Sequence, residues 1–177
     1  LEMFKYEWIW DKKRPTGFTL VKKQPMNQHE SILVFYKKFS VFNRQFSLKD
    51  IKNQRPNRIK NSLLKPYTRS ENYIVSPRFS VEFNDTQKNP CSIIILSGIN
   101  NFSDTRVHPT QKPVALFEYL IKTYTNEGDL VLDNCIGSGT TAIACINLKR
   151  NWIGIEKEEK YVDIANKRIK NLPSKLL

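Results

Sequence analysis

The chain has 177 residues, enough for one domain or somewhat more, and is 40% apolar, 26% charged and 11% aromatic, a globular balance that excludes collagen-like, low-complexity and wholly disordered classes. Its formal charge is +12, from 29 Lys+Arg against 17 Asp+Glu, which points to a polyanionic partner because cations that neutralise phosphates supply most nonspecific nucleic-acid affinity. No apolar run approaches the roughly 18 residues of a membrane span and no basic-then-apolar leader opens the chain, so the expectation is a cytoplasmic protein with no membrane partner.

The charge is uneven: residues 1–107 hold 19 Lys+Arg and 9 Asp+Glu, and 108–177 hold 10 and 8. Three cysteines, Cys91, Cys135 and Cys145, form no CxxC pair; they are expected to be buried free thiols rather than disulfides or a metal site. The chain opens at Leu1 rather than a methionine and runs directly into the strand-like Tyr6–Trp10, so it is expected to be a piece of something longer. Ser31–Tyr36 reads as a second strand, antiparallel to the first across an irregular connection that holds Pro15, Gly17 and Pro25. From about Phe39 to Arg106 the periodicity decays into a basic, aromatic-studded, proline-broken stretch.

After His108 the pattern sharpens. Pro113 followed by Val114, Leu116, Phe117, Leu120, Ile121 and Tyr124 predicts an amphipathic helix that ends near Gly128. Asp129–Asp133 predicts a short strand, Ala142–Leu148 a small-residue helix, Asn151–Glu156 another strand and Glu158–Asn171 a charged amphipathic helix. That alternation is the βαβ signature of a doubly wound parallel sheet. The strand that ends in Asp133, with Gly137-Ser138-Gly139 and a helix start at Thr140, should place unpaired backbone N–H groups at a crevice suited to an anionic or carboxylate end. Glu156, about twenty residues on, ends the next strand, where a carboxylate can accept both ribose hydroxyls of a nucleoside cofactor. A bare strand-to-helix turn and an ordinary strand-end carboxylate are the bland readings of the same residues.

The stretch Asp133-Asn134-Cys135-Ile136-Gly137-Ser138-Gly139-Thr140-Thr141 resembles the S-adenosylmethionine-binding motif I of the permuted β-class N6-adenine/N4-cytosine DNA amino-methyltransferases, and His108-Pro109-Thr110-Gln111-Lys112-Pro113 looks like the motif X that precedes it. Trp8–Lys12, His29–Phe35 and Asn89–Ile94 are similar to the neighbouring framework segments of that family. The resemblance implies an α/β, Rossmann-like methyltransferase fold with a mostly parallel, partial sheet and a loop-rich target-recognition insert. It divides the chain into paired sheet strands at 1–38, the insert at 39–106 and the cofactor-binding βαβ portion at 107–177. It implies S-adenosylmethionine as cofactor, held by Thr110, Lys112, Asp133, Asn134, Cys135, Gly137, Ser138, Gly139, Thr140, Thr141 and Glu156. It also implies DNA contacts from the insert, through Lys49, Lys52, Arg55, Arg58, Lys60 and Arg69; the segment 37–88 carries 12 Lys+Arg against 4 Asp+Glu, a balance suited to phosphates.

Two departures matter. Asn134 and Cys135 stand where the family usually has proline and phenylalanine. The family's catalytic motif, Asp/Asn/Ser-Pro-Pro-aromatic, occurs nowhere in the chain. The expectation is therefore a fragment of a site-specific DNA methyltransferase, adenine N6 ahead of cytosine N4, inactive alone. Its expected partners are double-stranded or single-stranded DNA, the missing N-terminal portion and, as an open alternative, a second copy. A non-catalytic DNA-binding remnant and an RNA or small-molecule methyltransferase are the competing readings.

Overall fold

A computed structural model describes residues 2–48, 87–99 and 107–173. The six cations expected to contact DNA, from Lys49 to Arg69, lie outside the described residues. The chain divides into two compact units, Leu1–Gln45 with Cys91–Leu177, and Phe46–Pro90. Within the second, β3 (Ser47–Leu48) pairs antiparallel with β4 (Gln87–Lys88).

The larger unit is built on two sheets. β1 (Phe4–Thr16) lies at the centre of the first, antiparallel to β2 (Asn27–Phe35) and parallel to β5 (Ile93–Ile95). The pleat sends alternate side chains to one face, and Trp8, Trp10 and Ile94 are all buried there with Leu116. Both indoles find acceptors: Trp8 Nε1 donates to the Tyr124 hydroxyl at 2.6 Å and Trp10 Nε1 to the Leu96 carbonyl at 2.8 Å. Burial and the neighbouring Tyr6 hydroxyl push the Tyr124 phenol well above its usual range. The second sheet is the parallel pair β6 (Leu130–Asp133) and β7 (Asn151–Gly154), joined by α2 (Thr140–Asn147) and followed by α3 (Glu159–Lys170).

Helix α1 (Val114–Tyr124) connects the two sheets. Leu116, Tyr119 and Leu120 pack on the tryptophan side, while Val114, Phe117 and Ile121 pack with Ala144, Cys145, Val131 and Trp152. Pro113 is the residue just before the helix, with extended ψ, one place earlier than a first-turn proline. Among the described residues, β5 pairs with β1 alone and β6 with β7 alone. The opposite faces are bare: Ile93, Ile95, Leu130, Leu132 and Ile153 are all roughly half exposed or more. Two of the three cysteines depart from expectation, since Cys91 and Cys135 are exposed and Cys145 alone is buried; desolvation raises the Cys145 thiol to about 11. Cys135 is on the turn after β6 rather than in the helix behind it, and Cys91 precedes β5. No helix among the described residues is long and apolar enough to cross a membrane.

Removing the Trp10 side chain, which is 3% exposed, should cost about 3–5 kcal/mol, as large-to-small core changes do. Leu132→Ser, at a side chain 63% exposed, should move stability by less than about 0.5 kcal/mol. Urea unfolding of the two variants checks the contrast.

Candidate functional site

The site lies where β6 and β7 end side by side. Ile155 N–H donates to the Asp133 carbonyl at 2.9 Å and Ile136 N–H returns a bond to the Ile155 carbonyl at 3.0 Å, so the chain leaving each strand is tied to the other. Asp133 then organises the turn. Its Oδ1 accepts the Cys135 N–H at 3.0 Å and its Oδ2 accepts the Thr141 hydroxyl, linking the strand end to the first turn of α2.

Glycine is required at two points by positive φ, 54° at Gly137 and 81° at Gly139, where a Cβ would be strained. Their surroundings differ. A Cβ on Gly139 would stand 2.9 Å from the Cβ of Ala165, so this glycine lets α2 and α3 approach. Gly137 lies beneath the His108 imidazole, whose atoms begin 3.7 Å from a hypothetical Cβ. The His108 ring meets Tyr161 edge-on at 4.1 Å between centroids.

Glu156 closes the mouth of the turn. Its Oε2 accepts the Gly137 N–H at 2.9 Å, and its Oε1 accepts those of Lys157 at 2.9 Å and Glu158 at 3.0 Å. The Glu158 N–H above all, aided by those of Gly137 and Lys157 and by His108, holds the carboxyl below the usual range against the opposing effect of burial, so the group is an anion at neutral pH. A carboxylate offers about four lone-pair directions; three are taken, leaving one on Oε2. The expected crevice of unpaired N–H groups is thereby corrected: Gly137 N–H is on Glu156, Gly139 N–H is on the Ile136 carbonyl at 3.0 Å and Cys135 N–H is on Asp133. A helix start leaves first-turn N–H groups without intrahelical acceptors, so the donors still on offer belong to the beginning of α2.

Most of the cofactor residues singled out from sequence line two adjoining cavities, from whose walls Gly139 and Glu156 are absent. Thr110, Lys112, Asp133, Cys135, Gly137, Ser138, Thr140 and Thr141 line a hollow of about 80 Å³. It adjoins an open groove of about 660 Å³ between α1 and β6, lined by Thr110, Lys112, Asp133, Cys135 and Thr141 again and by Asn134. Lys112 is held sideways, its Nζ 2.7 Å from Glu30 of β2, and Thr110 bonds through its N–H and hydroxyl to His108 Nδ1.

Arg168, on α3, is a residue of the site to which none of the sequence motifs pointed. Its half-buried guanidinium donates to the Ser138 carbonyl at 2.5 Å, to Ser138 Oγ at 2.9 Å and to Thr140 Oγ1 at 3.4 Å, and burial lowers its pKa. The available signal was a cation at an inward position of an amphipathic helix.

This arrangement has known counterparts. The family model described as DNA methylase, for the N6 and N4 enzymes, matches residues 2–167. The chain belongs to that family. It is 42% identical over 82 residues to the type II methyltransferase M.HpaI of Haemophilus parainfluenzae, a stretch that takes in 46% of this chain and 26% of that protein. It is 50% identical over 62 residues to M2.DpnII of Streptococcus pneumoniae, 35% of this chain and 23% of that protein. Among solved structures, a complex of M1.HpyAVI with SAM superposes with a TM-score of 0.58 at 32% identity, covering 96% of this chain and 63% of that one. The cytosine-N4-specific PvuII methyltransferase, at 19% identity and a TM-score of 0.60 over 98% of this chain and 55% of that one, shares the fold. The chain thus spans less than two thirds of each of these relatives.

Arg168→Met should destabilise the protein by about 1.5–3 kcal/mol, because it strips a charged donor from the buried Ser138 carbonyl. Arg168→Lys should recover part of that loss, and thermal unfolding of both variants measures it.

Proposed function

We propose that this chain is the S-adenosylmethionine-binding and target-recognition part of a site-specific DNA amino-methyltransferase of the type II modification kind. The observation that carries the reading is the anionic Glu156 carboxylate bonded to the Gly137 N–H at 2.9 Å across the ends of β6 and β7. It fits the cofactor: one free lone pair on Oε2 suits a ribose hydroxyl, and the start of α2 offers donors and a favourable dipole end to a carboxylate. The sequence expectation of two ribose bonds to Glu156 becomes one bond through Oε2. Asn134, Cys135 and Thr110 border the groove in which the rest of the cofactor would lie, while Asp133, Ser138, Gly139, Thr140 and Thr141 shape the turn. When bound, S-adenosylmethionine supplies the electrophilic methyl group; the protein aligns it and excludes water.

The acceptor is the exocyclic amino group of a base in DNA, adenine N6 ahead of cytosine N4 on overall likeness of the motifs. A base inside a duplex is out of reach, so the target is extruded before reaction. Residues 39–106 would read the site, with Lys49, Lys52, Arg55, Arg58, Lys60 and Arg69 on phosphates.

The Pro-Pro motif that grips the amino group is absent from the sequence, and the partner that brings it is a polypeptide placed between the two sheets. Supporting this are the edges of β5 and β6 that have no strand partner among the described residues and the bare apolar faces beside them, since open edges and exposed apolar surface invite a further strand. A second copy of the chain is the other occupant of those faces, distinguished by sedimentation at increasing concentration.

Glu156→Ala should weaken S-adenosylmethionine binding roughly 10- to 100-fold, as loss of a hydrogen bond to a charged group does; equal calorimetric affinities for parent and variant would refute the assignment. The chain alone should transfer no methyl group to DNA, and adding the upstream polypeptide, fused or separate, should restore transfer. Methylation by residues 1–177 unaided would show that the catalytic grip is already present.

A further inference from the structure

The β1–β2 hairpin extends well past the sheet and is not used by the site described above. From Lys12 to His29 it contains five Lys and Arg (Lys12, Lys13, Arg14, Lys22 and Lys23) and no Asp or Glu. Its tip is apolar and exposed: Phe18 is 76% accessible, with Leu20 and Val21 nearly half exposed. The tip is also ordered from within. Gly17, at φ 88°, leads into a 3₁₀ turn at Phe18–Leu20, and Leu20, Lys23 and Gln24 N–H groups bond back to the Gly17 and Leu20 carbonyls at 2.8–3.1 Å.

The stem is braced as well. The strand register shifts between Asp11 and Thr16, with Lys13 at a positive φ of 61°. Asp11 Oδ1 accepts from Lys13 N–H at 2.8 Å and from Gln28 Nε2 at 3.1 Å, and the Thr16 hydroxyl donates to the Asn27 carbonyl at 3.1 Å. The acids at its base are engaged: Asp11 in those bonds, and Glu30 by Lys112 at 2.7 Å and Lys12 at 3.7 Å. Because Lys112 lines the hollow beside Asp133, Glu30 joins the root of the hairpin to the wall of the candidate site.

We infer that this hairpin is a DNA-contacting element in which Phe18 is an apolar wedge between base steps and Lys13, Arg14, Lys22 and Lys23 meet the flanking phosphates. A solvent-exposed aromatic on an ordered tip, surrounded by cations and with its acids confined to the base, has the chemistry of side chains that enter a base stack and unstack it. The cations supply the sequence-independent attraction. The link through Glu30 favours DNA over an anionic lipid surface, because it fixes the root of the hairpin to the wall of the pocket that an extruded base must enter. The inference rests on the methyltransferase reading only for the purpose of the wedge, namely filling the space that the extruded base leaves.

The test uses the full 177-residue chain and duplexes with 2-aminopurine within random flanks. Phe18→Ala should weaken duplex binding roughly 5- to 100-fold, the range for losing one aromatic stack on a base, and abolish the rise in 2-aminopurine fluorescence; Phe18→Trp should restore both. Lys22→Gln with Lys23→Gln should lower affinity for every duplex and reduce the slope of log affinity against log salt by about 2. S-adenosylhomocysteine affinity should stay unchanged in all these variants, which separates the hairpin from the cofactor reading. Unaltered DNA affinity, salt slope and fluorescence in the hairpin variants would overturn the inference, as would a loss of binding to phosphatidylserine vesicles or to the upstream polypeptide while DNA binding persists.

Discussion

The Gly137 N–H to Glu156 bond joins two segments nineteen residues apart in the chain, and the candidate site depends on it. It is available only because β6 and β7 run parallel in register from Leu130↔Asn151 to Asp133↔Gly154, which brings the turn after one strand beside the carboxylate after the other. Parallel pairing demands a crossover element, and α2 is that element. Its small residues Ala142, Ala144 and Cys145 are fully or almost fully buried, which sets the close helix-on-strand packing. Gly154 belongs to the same constraint: a Cβ there would lie 2.3 Å from Ile136 Cδ1 and 3.2 Å from its Cβ, so the absence of a side chain lets the Ile136 side chain lie against the end of β7.

Two layers of support hold the turn from behind. Asp133 ties the strand end to α2 through Thr141, and Arg168 of α3 anchors the Ser138 carbonyl. A carboxylate on one side and a guanidinium on the other leave the turn little freedom, which is what a ligand-binding loop gains from preorganisation. The larger frame is less complete. α1 has an apolar flank toward each sheet, yet the sheets do not pair with each other among the described residues. The exposed Ile93, Ile95, Leu130, Leu132 and Ile153 of β5, β6 and β7 are the surface to which the proposal assigns the polypeptide that carries the Pro-Pro motif.

The sequence made the βαβ portion legible because its signals are local. The helix at Val114–Tyr124, the strands at Leu130–Asp133 and Asn151–Gly154 and the helix at Glu159–Lys170 fall within a few residues of their periodic patterns. Tyr6–Trp10 and Ser31–Tyr36 were legible as an antiparallel pair, but not β1's continuation to Thr16, because Lys12-Lys13-Arg14-Pro15 has no strand periodicity and forms the irregular stretch between the Asp11↔His29 and Thr16↔Asn27 pairs. Other features depend on distant contacts. Spacing alone cannot tell that Gly139 faces Ala165 rather than a ligand, that the turn's N–H groups are satisfied internally, that Lys112 leans to Glu30, or that Cys135 is exposed. The exposed Phe18 has no one-dimensional signature at all, since a phenylalanine in a loop reads equally well as local core.

The central claim, that the turn at Gly137 and the carboxylate of Glu156 form one cofactor-binding unit, is tested most directly by amide chemical-shift mapping of the isotopically labelled chain titrated with S-adenosylhomocysteine. The account predicts that the largest shifts fall at Gly137, Thr140, Glu156, Lys157 and Thr110, while Ile32 and Val34 on β2 stay in place. Shifts centred elsewhere, or none at millimolar ligand, would contradict it.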